Sequence, residues 1–105
     1  MATGQNPRPS GTGKASNFYM ACREGNAELV KRLLKTANVR EINQIEESNN
    51  STALHAASYF GHLEVVKILL EHGANTHTHN GHGNIPEQEA SNEQVKELFR
   101  AYKTK

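Results

Sequence analysis

The sequence contains no aspartate and a single cysteine, and these two scarcities exclude several kinds of site. All eleven acidic residues are glutamates, which rules out an aspartic dyad, an Asp-based catalytic triad and an EF-hand loop, whose first ligand is aspartate. Cys22 has no second thiol in the chain, which rules out an internal disulfide and a cysteine-ligated zinc cage. Catalytic and metal sites that need aspartate or more than one cysteine are therefore excluded.

Long apolar runs and an excess of one charge are also missing. The longest apolar stretches are far shorter than the roughly 20 residues of a membrane span, and the N-terminus lacks the apolar stretch of a signal peptide. Twelve Lys and Arg residues nearly balance eleven Glu residues, for a formal charge of +1, so no basic stripe is available for nucleic acid. We expect an intracellular protein, cytoplasmic or also nuclear, that binds neither nucleic acid nor membrane.

Apolar residues are confined to the chain after residue 16. The 20 Leu, Ile, Val and Phe residues all lie at or after Phe18. Residues 1–16 hold three glycines and two prolines but none of these core-forming residues. We therefore predict a disordered leader over residues 1–16 and one folded domain over residues 17–105.

The folded part of the chain repeats itself. Residues 21–34 align with residues 57–70 at an offset of 36, and seven of the fourteen positions are identical. A third, degenerate copy follows at an offset of 33, with Ala90 opposite Ala57. Self-similarity at such a period indicates a stacked repeat architecture, for which we predict three units, at about residues 17–48, 49–81 and 82–102.

Each unit is predicted to consist of two short helices joined to the next unit by a hairpin-like finger. In the second unit, Thr52 is an N-cap candidate for a helix over residues 53–60. Gly61 separates this helix from a second one over residues 63–72. The spacing along the second helix predicts one buried apolar face made of Leu63, Val66, Leu69 and Leu70.

The middle unit resembles the ankyrin repeat over almost its whole length. The matching segments are residues 52–57 (TALHAA) and 61–75 (GHLEVVKILLEHGAN). The first unit matches less well and has about three extra residues within 36–42, while the third is truncated. There Glu87, Gln88 and Glu89 replace the Leu-His core of the motif, as suits a polar closing face. The resemblance implies an all-α solenoid of about three helix-turn-helix units.

The same resemblance assigns structural roles to two of the six histidines. The residue matching His55 hydrogen-bonds to its threonine, here Thr52, and to backbone of the adjoining finger. The residue matching His62 follows the glycine between the two helices. We therefore expect both side chains to stabilise the fold rather than to carry chemistry.

The other four histidines crowd one finger, between His72 and His82. A His-x-His pair on an extended segment places two rings on one side, and three imidazoles suit Zn, Ni or Cu ions. We expect no cofactor and no metal, but a site formed by His77, His79 and His82 stays open as an alternative. The family resemblance also places His77 where an asparaginyl hydroxylase modifies ankyrin fingers, although the usual residue there is Asn.

Nothing in the sequence indicates an enzyme. Cys22 aligns with Ser58, next to small residues where two helices meet, so we expect a packed thiol rather than a nucleophile. A Gly-x-Ser-x-Gly nucleophile elbow is absent. The glutamates lie mainly on predicted solvated helix faces, and no catalytic pair of carboxylates is indicated.

The concave strip that ankyrin proteins use to hold partners is the remaining candidate site. Tyr59 and Phe60 are its strongest candidates for binding. They are two of only six aromatic residues, they fall where the repeat requires no core residue, and exposed aromatic residues are typical of interface hot spots. We predict a monomeric module that binds another protein, with the ankyrin part of a larger enzyme or scaffold as the alternative. The predicted binding residues are Arg23, Glu24, Asn49, Ser51, Tyr59, Phe60, His79, Gly81, His82 and Asn84.

Overall fold

A computed structural model describes residues 17–46 and 50–103, and these residues are mainly helical. The helices in chain order are α1 (Asn17–Glu24), α2 (Ala27–Leu34), α3 (Val39–Ile42), α4 (Ala53–Tyr59), α5 (Leu63–Glu71), α6 (Pro86–Glu89) and α7 (Glu93–Lys103). The described residues contain no β-strand, only an isolated bridge between Glu46 and Ser51. The predicted all-α class is thereby confirmed. The predicted leader, residues 1–16, lies outside the described residues, and the limits of the units stay predictions.

Capping side chains explain where several helices begin. Thr52 Oγ1 accepts the backbone N–H of His55 at 3.3 Å at the start of α4, as predicted, and Asn26 Oδ1 accepts that of Leu29 at 3.2 Å in α2. Each such cap contributes about 1 kcal/mol. The helices of the middle unit each end one residue earlier than predicted.

Helix α3 is a feature that the sequence analysis did not predict. It forms within the extra residues of the first unit. Asn38 Oδ1 accepts the N–H of Glu41 at 2.9 Å, and Glu41 Oε1 accepts the N–H of Asn38 at 3.0 Å. This reciprocal pair satisfies two backbone donors at the helix start, so the insertion is locally stabilised.

The helices stack in two layers around one core. In the first layer α1 packs against α4 and α4 against α6, and in the second α2 packs against α5 and α5 against α7. Leu54 and Leu69 lie within the buried cluster, and Leu33 and Leu98 pack against it. These four leucines come from all three predicted units, so one continuous interior runs through the stack. None of the helices in the described part of the chain is long and apolar enough to cross a membrane.

The turns between paired helices also stack on one another. His62, at the start of α5, donates its Nε2–H to the carbonyl of Arg23 at 2.8 Å, next to the turn at Gly25. In the same way, the N–H of Ser91 donates to the carbonyl of Ser58 at 3.1 Å, next to the turn at Gly61. Each later helix pair is thus hydrogen-bonded to the turn of the pair before it.

The predicted apolar face of α5 needs one correction. Three of its four residues are buried, but Leu63 is 39% exposed. Val65 and Ile68, which lie outside the predicted face, are buried instead. Helix α5 packs against α2, α4 and α7, so most of its circumference is covered, whereas Leu63 in its first turn is left at the edge.

Candidate functional site

A cleft of about 260 Å³ opens where α1, α4 and the finger before α6 meet. It brings together five of the predicted binding residues, which come from separate parts of the chain. Arg23 comes from the end of α1, and the two aromatic residues come from the end of α4. The predicted residues in its lining are Arg23, Ser51, Tyr59, Phe60 and His82.

The wall of the cleft is formed by the carboxyl end of α4. The side chains of Tyr59 and Phe60 are 58% and 47% exposed, and their ring centroids lie 5.0 Å apart in an edge-to-face arrangement. The guanidinium carbon of Arg23 lies 5.5 Å from the centroid of Phe60, and the His62 ring stacks on Phe60 at 6.2 Å. Phe60 is therefore oriented by its neighbours while it stays accessible.

The floor of the cleft contains a neutral, structural histidine. His55 is buried. Its Nδ1 lies 2.8 Å from Thr52 Oγ1, and its Nε2–H donates to the carbonyl of Asn84 at 2.8 Å. Burial lowers the pKa of His55 below its ordinary value. The hydrogen bond to Asn84 raises this pKa, but its effect is smaller than that of burial. The expected role of His55 is thereby confirmed, since the ring joins α4 to the next finger.

Glu89 is a cleft residue that the sequence analysis missed. The sequence analysis placed Glu89 on a polar closing face, but its side chain also lines the cleft. Its Oε2 accepts hydrogen bonds from the side-chain amides of Asn84 at 2.8 Å and Asn80 at 3.1 Å. These bonds, chiefly that of Asn84, lower the pKa of Glu89, so the carboxylate stays ionised at neutral pH. One signal in the sequence could have identified Glu89. In the alignment of the repeats it lies opposite Ala56, so the third unit has a charged residue where the middle unit has a small one.

The other predicted binding residues are placed elsewhere. Glu24, His79 and Gly81 are exposed but do not line the cleft. Asn84 does not line the cleft itself, but it is hydrogen-bonded to two residues that do, Glu89 and His55. Asn49 lies outside the described residues.

Comparison with known proteins identifies the fold family. A family model described as ankyrin repeats in three copies matches residues 6–101. The chain belongs to the ankyrin repeat family. The crystal structure of the human ASB11 ankyrin repeat domain is similar to this ankyrin domain with a TM-score of 0.67 and 27% identity, over 82% of this chain and 39% of that chain.

The curated relatives that this ankyrin domain matches are much longer chains. The potassium channel AKT2/3 of Arabidopsis thaliana is 36% identical over 82% of this chain and 10% of its own length. The tyrosine-protein kinase HTK16 of Hydra vulgaris is 30% identical over 72% of this chain and 10% of its own length. This ankyrin domain thus spans about a tenth of the length of either relative. Ankyrin repeats are generally non-catalytic modules for protein–protein interaction.

The histidine-rich finger of this ankyrin domain does not gather a set of metal ligands. Within residues 17–46 and 50–103, no three His, Cys or Glu side chains lie close enough together to hold a metal ion. His77 is exposed, and its Nδ1 lies 3.1 Å from Thr76 Oγ1. The alternative site at His77, His79 and His82 is therefore not supported.

The lone thiol lies in the interior of the ankyrin stack. Cys22 has no exposed surface, and burial raises its pKa to about 12. Reactive cysteines are partly exposed and have a lowered pKa. The expectation that the thiol is packed is confirmed.

Proposed function

We propose that this ankyrin domain binds another protein in the cleft between α1, α4 and the finger before α6. The observation that carries the proposal is the pair Tyr59 and Phe60, two large side chains that stay about half exposed inside a concave surface. Aromatic residues with large accessible area are typical of interface hot spots. The helical stack holds them in place before binding, which limits the entropy that association costs.

The proposed binding is reversible and non-catalytic, and the domain acts as a monomer. A strip this short supports a modest interface of about 800 Å² per partner or less, which is at or below the standard size for protein–protein complexes. The near-neutral charge favours a protein partner over nucleic acid, and the sequence favours an intracellular location. The alternative that the chain is the ankyrin part of a larger enzyme or scaffold stays a prediction.

The test compares two double variants, each of which truncates two hydrophobic side chains that are about half exposed. Tyr59→Ala/Phe60→Ala removes the cleft wall. Val39→Ala/Ile45→Ala removes two side chains that are 60% and 49% exposed but do not line the cleft. Proteins captured from a lysate by the wild-type chain are purified, and their affinity for each variant is measured by calorimetry.

We expect the cleft variant to lose at least about tenfold in affinity, since hot-spot residues contribute 2 kcal/mol or more. The Val39/Ile45 variant should bind like the wild type. A purified partner with equal affinity for the wild type and the cleft variant would contradict the proposed site.

A further inference from the structure

The charges of the cleft lie at its two ends, on either side of the aromatic pair. Arg23 belongs to α1, Tyr59 and Phe60 stand at the end of α4, and Glu89 belongs to α6. These three helices are successive neighbours in the first layer. The order along the stack is therefore guanidinium, aromatic pair, carboxylate.

The carboxylate at one end is held in place by its own finger. Both bonds to Glu89, from Asn80 and Asn84, reach Oε2. No described residue donates a hydrogen bond to the other oxygen, Oε1. A positioned carboxylate with one unused oxygen, in a partly enclosed cleft, is suited to accept a charged donor from a ligand.

The guanidinium at the other end has no carboxylate partner among the described residues. In the part of the chain that the structure describes, no carboxylate lies within 4.0 Å of the Arg23 side chain. Its guanidinium carbon lies 5.5 Å from the centre of the Phe60 ring, an arrangement that favours the cation and keeps it at the cleft. The nitrogen donors of Arg23 are thus available to an acidic group.

We propose that the cleft recognises an extended segment of a partner protein that carries an acidic residue for Arg23, an apolar residue for the Tyr59–Phe60 pair, and a Lys or Arg for Glu89. This inference rests on the proposed function and adds the charge pattern of the partner. Charge complementarity at both ends selects such a segment over one with a single sign of charge.

The spacing of the partner's charges follows from the helix layer. Neighbouring helix axes lie about 8–10 Å apart, so the backbones at Arg23 and Glu89 are separated by about 16–20 Å. An extended chain rises about 3.3 Å per residue. Because the side chains on both partners shorten the gap, the acidic and basic residues should lie no more than about six positions apart.

The experiment uses a random 12-residue peptide library displayed on phage and selected on the full chain, with counter-selection on Tyr59→Ala/Phe60→Ala. Enriched peptides are synthesised, and their affinities are measured for the wild type, Arg23→Gln and Glu89→Gln. Arg40→Gln and Glu28→Gln, which change exposed charges outside the cleft, are the matched controls. Circular dichroism checks that every variant is folded.

We expect the enriched peptides to carry an acidic and a basic residue within six positions of each other. Glu89→Gln should weaken binding about tenfold, and it should have no effect on a peptide whose basic residue is replaced by Gln. Arg23→Gln should show the same coupling with the acidic residue, whereas the control variants should bind like the wild type.

Two negative results of this experiment would distinguish a failure of the proposed charge pattern from a failure of the proposed binding site. Peptides that need Tyr59 and Phe60 but bind equally to Arg23→Gln and Glu89→Gln would overturn the charge pattern and leave the proposed binding site intact. If no peptide is enriched on the wild type over the Tyr59/Phe60 variant, both proposals are overturned.

Discussion

The imidazole ring of His62 covers Gly25 at the junction between the first two helix pairs. A Cβ placed on Gly25 would lie 2.5 Å from His62 Nδ1, whereas nothing lies within 4 Å of a Cβ on Gly73. Both glycines have positive φ, 75° and 87°. The two positions therefore share a backbone requirement and differ in what surrounds them.

Replacing each of these glycines by alanine separates the cost of the positive φ from the cost of a clash with the His62 ring. Gly73→Ala should lower the free energy of unfolding by about 1 kcal/mol, because only the left-handed conformation is penalised. Gly25→Ala should lower it by about 2–3 kcal/mol, because the ring of His62 must also leave the carbonyl of Arg23. Urea denaturation followed by circular dichroism measures both. Equal losses at the two positions would show that the His62 contact contributes nothing.

Ser58 offers a stabilising substitution. Its side chain is fully buried, and its hydroxyl has no hydrogen-bond partner among the described residues. Ser58→Ala should raise the free energy of unfolding by about 0.5–1 kcal/mol, since it removes a polar group that is buried without compensation.

Thr52→Ala is the contrasting control for Ser58→Ala. The Thr52 hydroxyl is also buried, but it caps α4 and contacts His55, so its loss should cost about 1–2 kcal/mol. Both variants are measured by thermal and urea unfolding. A Ser58→Ala variant that is destabilised as much as Thr52→Ala would mean that the Ser58 hydroxyl is hydrogen-bonded.

Stability should fall as the pH drops below about 6.5, because of His55. Burial lowers the pKa of this ring in the folded state from 6.5, so the unfolded chain takes up a proton first. The contribution is fully present above pH 6.5 and is lost as the pH falls through the folded-state pKa. The lowered pKa of Glu89, whose ordinary value is 4.5, adds a second loss only below about pH 4.5.

Urea midpoints between pH 7.5 and 5.5, together with an NMR titration of the His55 ring, measure this effect. We expect the urea midpoint to decrease as the pH is lowered from 7.5 to 5.5, and the His55 ring to titrate below pH 6.5. A ring that titrates at or above 6.5 would rule out His55 as the cause of any decrease.

Cys22 should be protected from thiol reagents in the native state. Its complete burial and its pKa of about 12 imply a reaction with Ellman's reagent at least about a hundredfold slower than that of the unfolded chain. Ser91→Cys supplies an exposed thiol in the same protein as a control. Two fast-reacting thiols in that folded variant would refute the packed position of Cys22.

Much of the fold could be predicted from the sequence because the repeat specifies it locally. The cap at Thr52 and the break at Gly61 depend on residues close in sequence. The hydrogen bonds of His55 could be predicted because the resemblance to the ankyrin repeat implies them. The exposure of Leu63 could not be predicted in this way. It depends on how far the neighbouring helices extend over the first turn of α5, and helical periodicity carries no such information.

The candidate site was only partly predictable for a related reason. Tyr59 and Phe60 could be singled out because the repeat requires no core residue at their positions, and the structure places both at the cleft. Glu89 was missed because its orientation depends on the amides of Asn80 and Asn84, which the finger brings together. Helix α3 was missed because its capping pair lies in the part of the first unit that departs from the repeat.

Helix α4 carries its buried residues and its proposed binding residues in separate parts. Residues 53–58 are all buried, while Tyr59 and the residue that follows it are exposed. At the proposed site, we expect changes at these last two positions to alter binding with little cost to folding. Across generations, such an arrangement lets the preference for a binding protein diverge by a few codon changes while the scaffold stays the same.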